Sequence, residues 1–101
     1  MNKKMKLMFS LDYNGQCEDI EDFSHSGQDF TDDISFGDVN KFVKVLKGIE
    51  GFNVSPHRTI VTVIWYDNGT MKVQYDYFTE PDWNSFKIVN LDGLPSVNFP
   101  R

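Results

Sequence analysis

The sequence predicts an α+β domain, an antiparallel sheet of three to four strands with one helix packed on one face. Three observations predict it. Residues 59–78, TIVTVIWYDNGTMKVQYDYF, are two β-rich runs joined by a turn tetrapeptide. Residues 4–13 alternate apolar and polar, and residues 35–49 carry an apolar stripe at helical spacing behind a capping residue. With 101 residues the chain makes a single domain, 1–101, and fifteen aromatic residues supply much of one modest core.

In the first strand Met5, Leu7, Phe9, Leu11 and Tyr13 point one way, and Lys4, Lys6, Ser10 and Asp12 the other. Met8 is the exception, and Asn14-Gly15 is the turn that ends the run. Periodicity then fails, so residues 14–34 read as a long acidic loop, with room for a short irregular strand near Glu18–Phe23. Phe23 and Phe30 are expected to tack this loop onto the body.

Ser35 opens the helix as N-cap, with Asp38 at the third helical position and Ile34 and Val39 placed as a hydrophobic staple. Val39, Phe42, Val43, Leu46 and Ile49 form the apolar stripe. Asp38 near the start and Lys44 and Lys47 near the end suit the macrodipole, and Gly48 or Gly51 can take the left-handed closing position.

After the connection Phe52–His57 comes the hairpin. Asn68-Gly69 predicts a two-residue type I′ turn pairing Asp67 with Thr70. That register puts Ile60, Thr62, Ile64, Tyr66, Met71, Val73, Tyr75 and Tyr77 on a core face. Val61, Val63, Trp65 and Phe78 then share an amphipathic face with Lys72, Gln74 and Asp76. Glu80-Pro81-Asp82 breaks the strand, Ser85–Leu91 reads as a further short strand closed by Asp92-Gly93, and the proline-bearing tail is an edge strand or extended strap.

The net charge of −5 and pI near 4.8 exclude a nucleic-acid binder working through a basic footprint. The row of Lys41, Lys44 and Lys47 reads as a solvated helix face. The lone Cys17 cannot form an internal disulfide and points to a reducing compartment. Leu7-Met8-Phe9 is too short for a signal-peptide apolar segment and no run reaches transmembrane length, so a cytoplasmic location away from membranes is expected. Without a secretion signal, Asn68-Gly69-Thr70 is a turn rather than a glycosylation site.

Charge is distributed unevenly. Nine acids, Asp12, Glu18, Asp19, Glu21, Asp22, Asp29, Asp32, Asp33 and Asp38, lie between Lys6 and Lys41 with no basic residue among them. One reading is a solvated loop. The other is a docking surface for a basic partner, in which carboxylates stand where phosphates would lie and Phe23 and Phe30 anchor the contact. Trp65 has the same two readings, packed core or apolar anchor on the hairpin's amphipathic face, beside Asp76. The candidate partner-binding residues are therefore Glu18, Asp19, Glu21, Asp22, Phe23, Asp29, Phe30, Asp32, Asp33, Trp65 and Asp76.

Chemistry finds little to work with. Asp29-Phe30-Thr31-Asp32-Asp33 lacks the ligand spacing and closing Glu of a calcium loop. Cys17, His25 and His57 supply the residue types for a thiol- or metal-dependent site, but nothing in their spacing brings them together. No catalytic residue, metal ligand or cofactor is assigned.

At residues 65–78, WYDNGTMKVQYDYF, the chain resembles the ending of YezG-like bacterial antitoxins, in an aromatic strand, a Gly-containing turn and a strand ending Tyr75-Asp76-Tyr77. The resemblance implies a small, cytoplasmic, non-catalytic immunity protein that binds and neutralises a cognate toxin. The expectation is thus an immunity protein or antitoxin that occludes the active site of a basic, nuclease-like toxin with its acidic surface. The alternatives are a phage-type nucleic-acid mimic and a small metal- or thiol-dependent enzyme. An exposed sheet face or tail edge would equally support a homodimer.

Overall fold

The computed structural model describes residues 3–52, 58–78 and 86–97. Its strands are β1 (Lys3–Leu11), β2 (Cys17–His25), β3 (Gln28–Asp29), β4 (Thr59–Tyr66), β5 (Thr70–Phe78) and β6 (Phe86–Pro95). They form one antiparallel sheet in the order β3-β2-β1-β4-β5-β6, with a 3-10 turn at Thr31–Asp33 and helix α1 at Phe36–Leu46. The α+β class with one helix on one face stands. The sheet has six strands among the described residues rather than three or four.

The extra strands come from the stretch read as a loop. Residues 14–34 hold all of β2 and β3, and β2 pairs along β1 from Met5↔His25 to Leu11↔Cys17. Two irregularities hid this strand. The partners step from Met8↔Asp22 to Phe9↔Ile20 and from Ser10↔Asp19 to Leu11↔Cys17, leaving Glu21 and Glu18 as extra residues in β-bulges. Each bulge resets the alternation, so Cys17, Ile20 and Phe23 reach the core at a spacing of three, which no period-two pattern detects. Tyr13 falls in the turn after β1 and is exposed.

The β4–β5 hairpin is the second correction. Among the described residues Ser26 is the one non-glycine with positive φ, so Asn68 does not adopt the type I′ conformation. Instead Asn68 Oδ1 accepts from the Thr70 backbone N–H at 3.1 Å and from its hydroxyl at 2.7 Å, and Gly69 takes φ +84°. Asp67, Asn68 and Gly69 make a three-residue loop, and the pairs become Trp65↔Met71, Val63↔Val73 and Val61↔Tyr75. That register differs by one residue from the expected one, which turns β4 over relative to β5. Met71, Val73 and Tyr75 face the core as expected, but their companions are Val61, Val63 and Trp65. Ile60, Thr62, Ile64 and Tyr66 lie on the other face, half-buried, with Lys72, Gln74 and Asp76. The side chains of Tyr77 and Phe78, together with His57 and Glu80-Pro81-Asp82, lie outside the described residues.

Helix α1 covers the core face. Its capping box is complete: Asp38 N–H donates to Ser35 Oγ at 3.1 Å and Ser35 N–H to Asp38 Oδ2 at 3.2 Å. Val39, Phe42, Val43 and Leu46 are buried against Leu7, Phe9 and Leu11 of β1 and the inner residues of β4 and β5, with Ile34 and Ile49 packed around them. Asn40 Oδ1 accepts the Cys17 N–H at 2.8 Å, tying the helix to the start of β2. Past the helix, Gly51 takes the left-handed conformation at φ +93°, and the Tyr75 hydroxyl donates to its carbonyl at 2.5 Å.

β6 runs on past the expected stop. Asp92-Gly93 is a bulge rather than an end: the partners move from Val73↔Leu91 to Met71↔Leu94, with Gly93 at φ +68°. Beyond Pro95 the chain is a strap, in which Ser96 N–H donates to the Gly69 carbonyl at 3.0 Å and Trp65 Nε1–H to the Val97 carbonyl at 2.8 Å.

Candidate partner-binding surfaces

The fold sorts the acids of the 12–38 stretch into two groups by what each carboxylate does. Asp12 accepts from the backbone N–H groups of Asn14 and Gln16 and so shapes the β1–β2 turn. Asp29 accepts from Thr31 N–H at 2.9 Å, and that backbone bond, aided by the Thr31 side chain, holds its carboxyl below the usual range. Asp38 closes the capping box. Asp22 pairs with Lys6 at 3.6 Å and Glu18 with Arg58 at 2.7 Å. The Glu18–Arg58 pair joins β2 to the start of β4 and therefore passes over β1, near Ser10, which is only 1% exposed.

That leaves Asp19 and Glu21 on β2, with Asp32 and Asp33 on the 3-10 turn. All four are exposed and have no partner among the described residues. The turn packs against β2, so the four belong to one edge of the molecule. Five of the nine acids thus serve local geometry or internal pairing, and four are left for solvent or a partner.

The aromatic anchors are placed differently from expectation. Phe23 is 2% exposed and Trp65 4% exposed. The Trp65 ring lies 5.5 Å from that of Phe42, tilted by 36°. Both are core residues, so neither is presented to a partner; of Trp65's two readings the packed one is realised. Phe30 is half-buried at the margin of the same core, and its N–H donates to the Phe23 carbonyl. Asp76 lies on the opposite face of the sheet from α1, half-buried, with Oδ1 buried and without a hydrogen-bond partner among the described residues.

Phe23 and Phe30, with Met5, Lys4 and His25, line a shallow cleft of about 320 Å³ at the β1 N-terminal end of the sheet. His25 stands at one end of β2 and Cys17 at the other, roughly 25 Å apart along an extended strand. The Cys17 thiol is buried in the core, and desolvation pushes it up to about 11, the reverse of the shift an attacking thiolate needs. Among the described residues no group of three or more His, Cys, Asp or Glu is placed to hold a metal ion, and no helix is long and apolar enough to cross a membrane.

The larger surface is the outer face of the sheet, whose β4 side chains Ile60, Thr62, Ile64 and Tyr66 were expected in the core. On the sheet face away from α1, the pairings align side chains into rows across the strands. The first row is Asp19, Ser10, Ile60, Asp76 and Ile88. The second is Asp22, Met8, Thr62, Gln74 and Asn90, and the third Ser24, Lys6, Ile64 and Lys72. Ile88 is 53% exposed and no described helix or strand packs over this face, although the Glu18–Arg58 pair crosses its margin beside Ser10, which is 1% exposed. Its signal in the sequence was the polar set Lys72, Gln74 and Asp76 on β5, once joined to the correct half of β4.

Comparisons with protein-family models, with curated proteins and with solved structures give no match to this chain.

Proposed function

We propose that this chain is a non-catalytic binding protein of the immunity or antitoxin kind, which neutralises a basic, nuclease-like toxin in the cytoplasm by covering its active site. The observation that carries this reading is the set Asp19, Glu21, Asp32 and Asp33, four exposed carboxylates on one edge with no internal role. Clustered like charges of this kind raise the rate of encounter with an oppositely charged partner and disfavour wrong ones. The likeness of residues 65–78 to YezG-like antitoxins supports the same class. The buried, protonated Cys17 and its distance from His25 weigh against the thiol-enzyme alternative.

The test begins with capture of partners from the native host at low and moderate salt, with the bound protein identified by mass. A stoichiometric basic protein released by salt is the expected result. The variant Asp19→Lys/Asp32→Lys/Asp33→Lys is then expected to slow association with that protein about tenfold or more at low salt. An unchanged rate and salt dependence in a folded variant sinks the acidic-edge reading.

A further inference from the structure

We propose that the open sheet face is a self-association surface, on which a second copy of this chain packs to form a two-fold β-sandwich. The inference is separable from the acidic-edge reading: Asp19 ends the first row, but Glu21, Asp32 and Asp33 stand outside the three rows, and neither Lys72 nor Asp76 belongs to the acidic edge.

The rows make the face self-complementary. A two-fold axis lying between two facing sheets, at right angles to the strands and over the second row, exchanges the first row with the third. Ile60 then lies over Ile64 of the other copy, and Ile64 over its Ile60. Asp76 meets Lys72 and Lys72 meets Asp76, while Thr62 and Gln74 meet themselves near the axis. Such reciprocity is what an isologous interface requires. Lys72 and Asp76 sit two rows apart on β5, roughly 13 Å, and neither has an ion-pair partner among the described residues. Lys72 and Asp76, unmatched within one copy, are matched between two, while Asp19 at the end of the first row faces Ser24. An axis parallel to the strands and centred over β4 instead sets each row over itself, so Lys6 meets Lys72 and Asp76 meets Ser10, and the reciprocal ion pairs are lost.

The dimensions suit this arrangement. Five strands and three rows span roughly 24 by 20 Å, so two copies bury on the order of 1,000 Å², the lower bound for a specific interface. Face-to-face sheets pack about 10 Å apart, close enough for Met8, Ile60, Ile64 and Ile88 to interdigitate. The sheet edges suit pairing less. β6 carries the Gly93 bulge and ends at Pro95, and at the other edge β3 is only two residues long beside a β2 distorted by two bulges in its pairing with β1, all features that blunt an edge.

Sedimentation equilibrium of the full chain over a range of concentrations tests the proposal. The wild type is expected to show a monomer–dimer equilibrium. Asp76→Lys and Lys72→Asp each place like charges opposite one another twice in their own homodimer, and each is expected to weaken it about tenfold or more. Mixing the two variants restores both attractions in a heterodimer, so the mixture is expected to associate more tightly than either variant alone. Rescue by mixing cannot come from a variant that failed to fold. A wild type that stays monomeric throughout, with the face left to a different protein or to the chain's own segments, overturns the proposal. So does a dimer indifferent to both charge changes, or a mixture that behaves as the sum of its parts.

Discussion

Replacing Trp65 separates a core residue from a surface anchor by a wide margin. The side chain is 4% exposed, packs on Phe42 and donates its indole N–H to Val97. Trp65→Phe keeps a ring but loses the hydrogen bond, at about 1 kcal/mol, and about 40 Å² of buried apolar surface, at about 1 kcal/mol more. Trp65→Ala leaves a cavity under the helix and is expected to cost about 3–5 kcal/mol, a large part of the total stability of a domain this size. Denaturant unfolding followed by far-ultraviolet circular dichroism measures both. A double-mutant cycle with Phe42→Leu should return a coupling of about 0.5–1.5 kcal/mol for the ring pair. If Trp65→Ala unfolds at nearly the wild-type midpoint, the residue is not core, and both the hairpin register and the strap through Val97 are wrong with it. An anchor presented to a partner gives the opposite pattern, lost binding with stability retained.

Two further outcomes follow from the same geometry. Ser35→Ala removes the acceptor for Asp38 N–H and is expected to cost about 1 kcal/mol in the same unfolding assay, whereas Ser35→Gly costs only a few tenths. Cys17 should react slowly with a thiol-specific disulfide reagent at pH 8 in the native protein, rapidly after denaturation, and with a native pH midpoint near 11. Because the native thiol holds its proton more tightly than the unfolded one, this residue's contribution to stability falls as pH rises from about 9 to about 11. A native thiol that titrates near 9 refutes its burial.

Some elements were legible because their determinants are local. Helix α1 needs only Ser35, Asp38 and an apolar stripe, all within three turns, and the sequence shows each. β1 and β5 alternate cleanly, so each declares its own inner face. The acidic stretch was legible as charge but not as structure. Bulges at Glu18 and Glu21 shift the phase of β2 twice, and the pairing with β1 that makes it a strand lies outside any local window.

Local sequence is enough for the class of fold, the single helix, the hairpin and the excess of acid between Lys6 and Lys41. Pairing with β5 sets which half of β4 is core. That strand is apolar on both sides, Val61, Val63 and Trp65 against Ile60, Ile64 and Tyr66, so its composition chooses neither. The choice rests on one loop residue, since a side-chain period of two converts a single-residue change in register into an exchange of faces. Tertiary structure likewise decided which acids are free. A carboxylate's freedom depends on what the fold brings beside it: Lys6 to Asp22, Arg58 to Glu18, and nothing to Asp19, Glu21, Asp32 or Asp33 among the described residues.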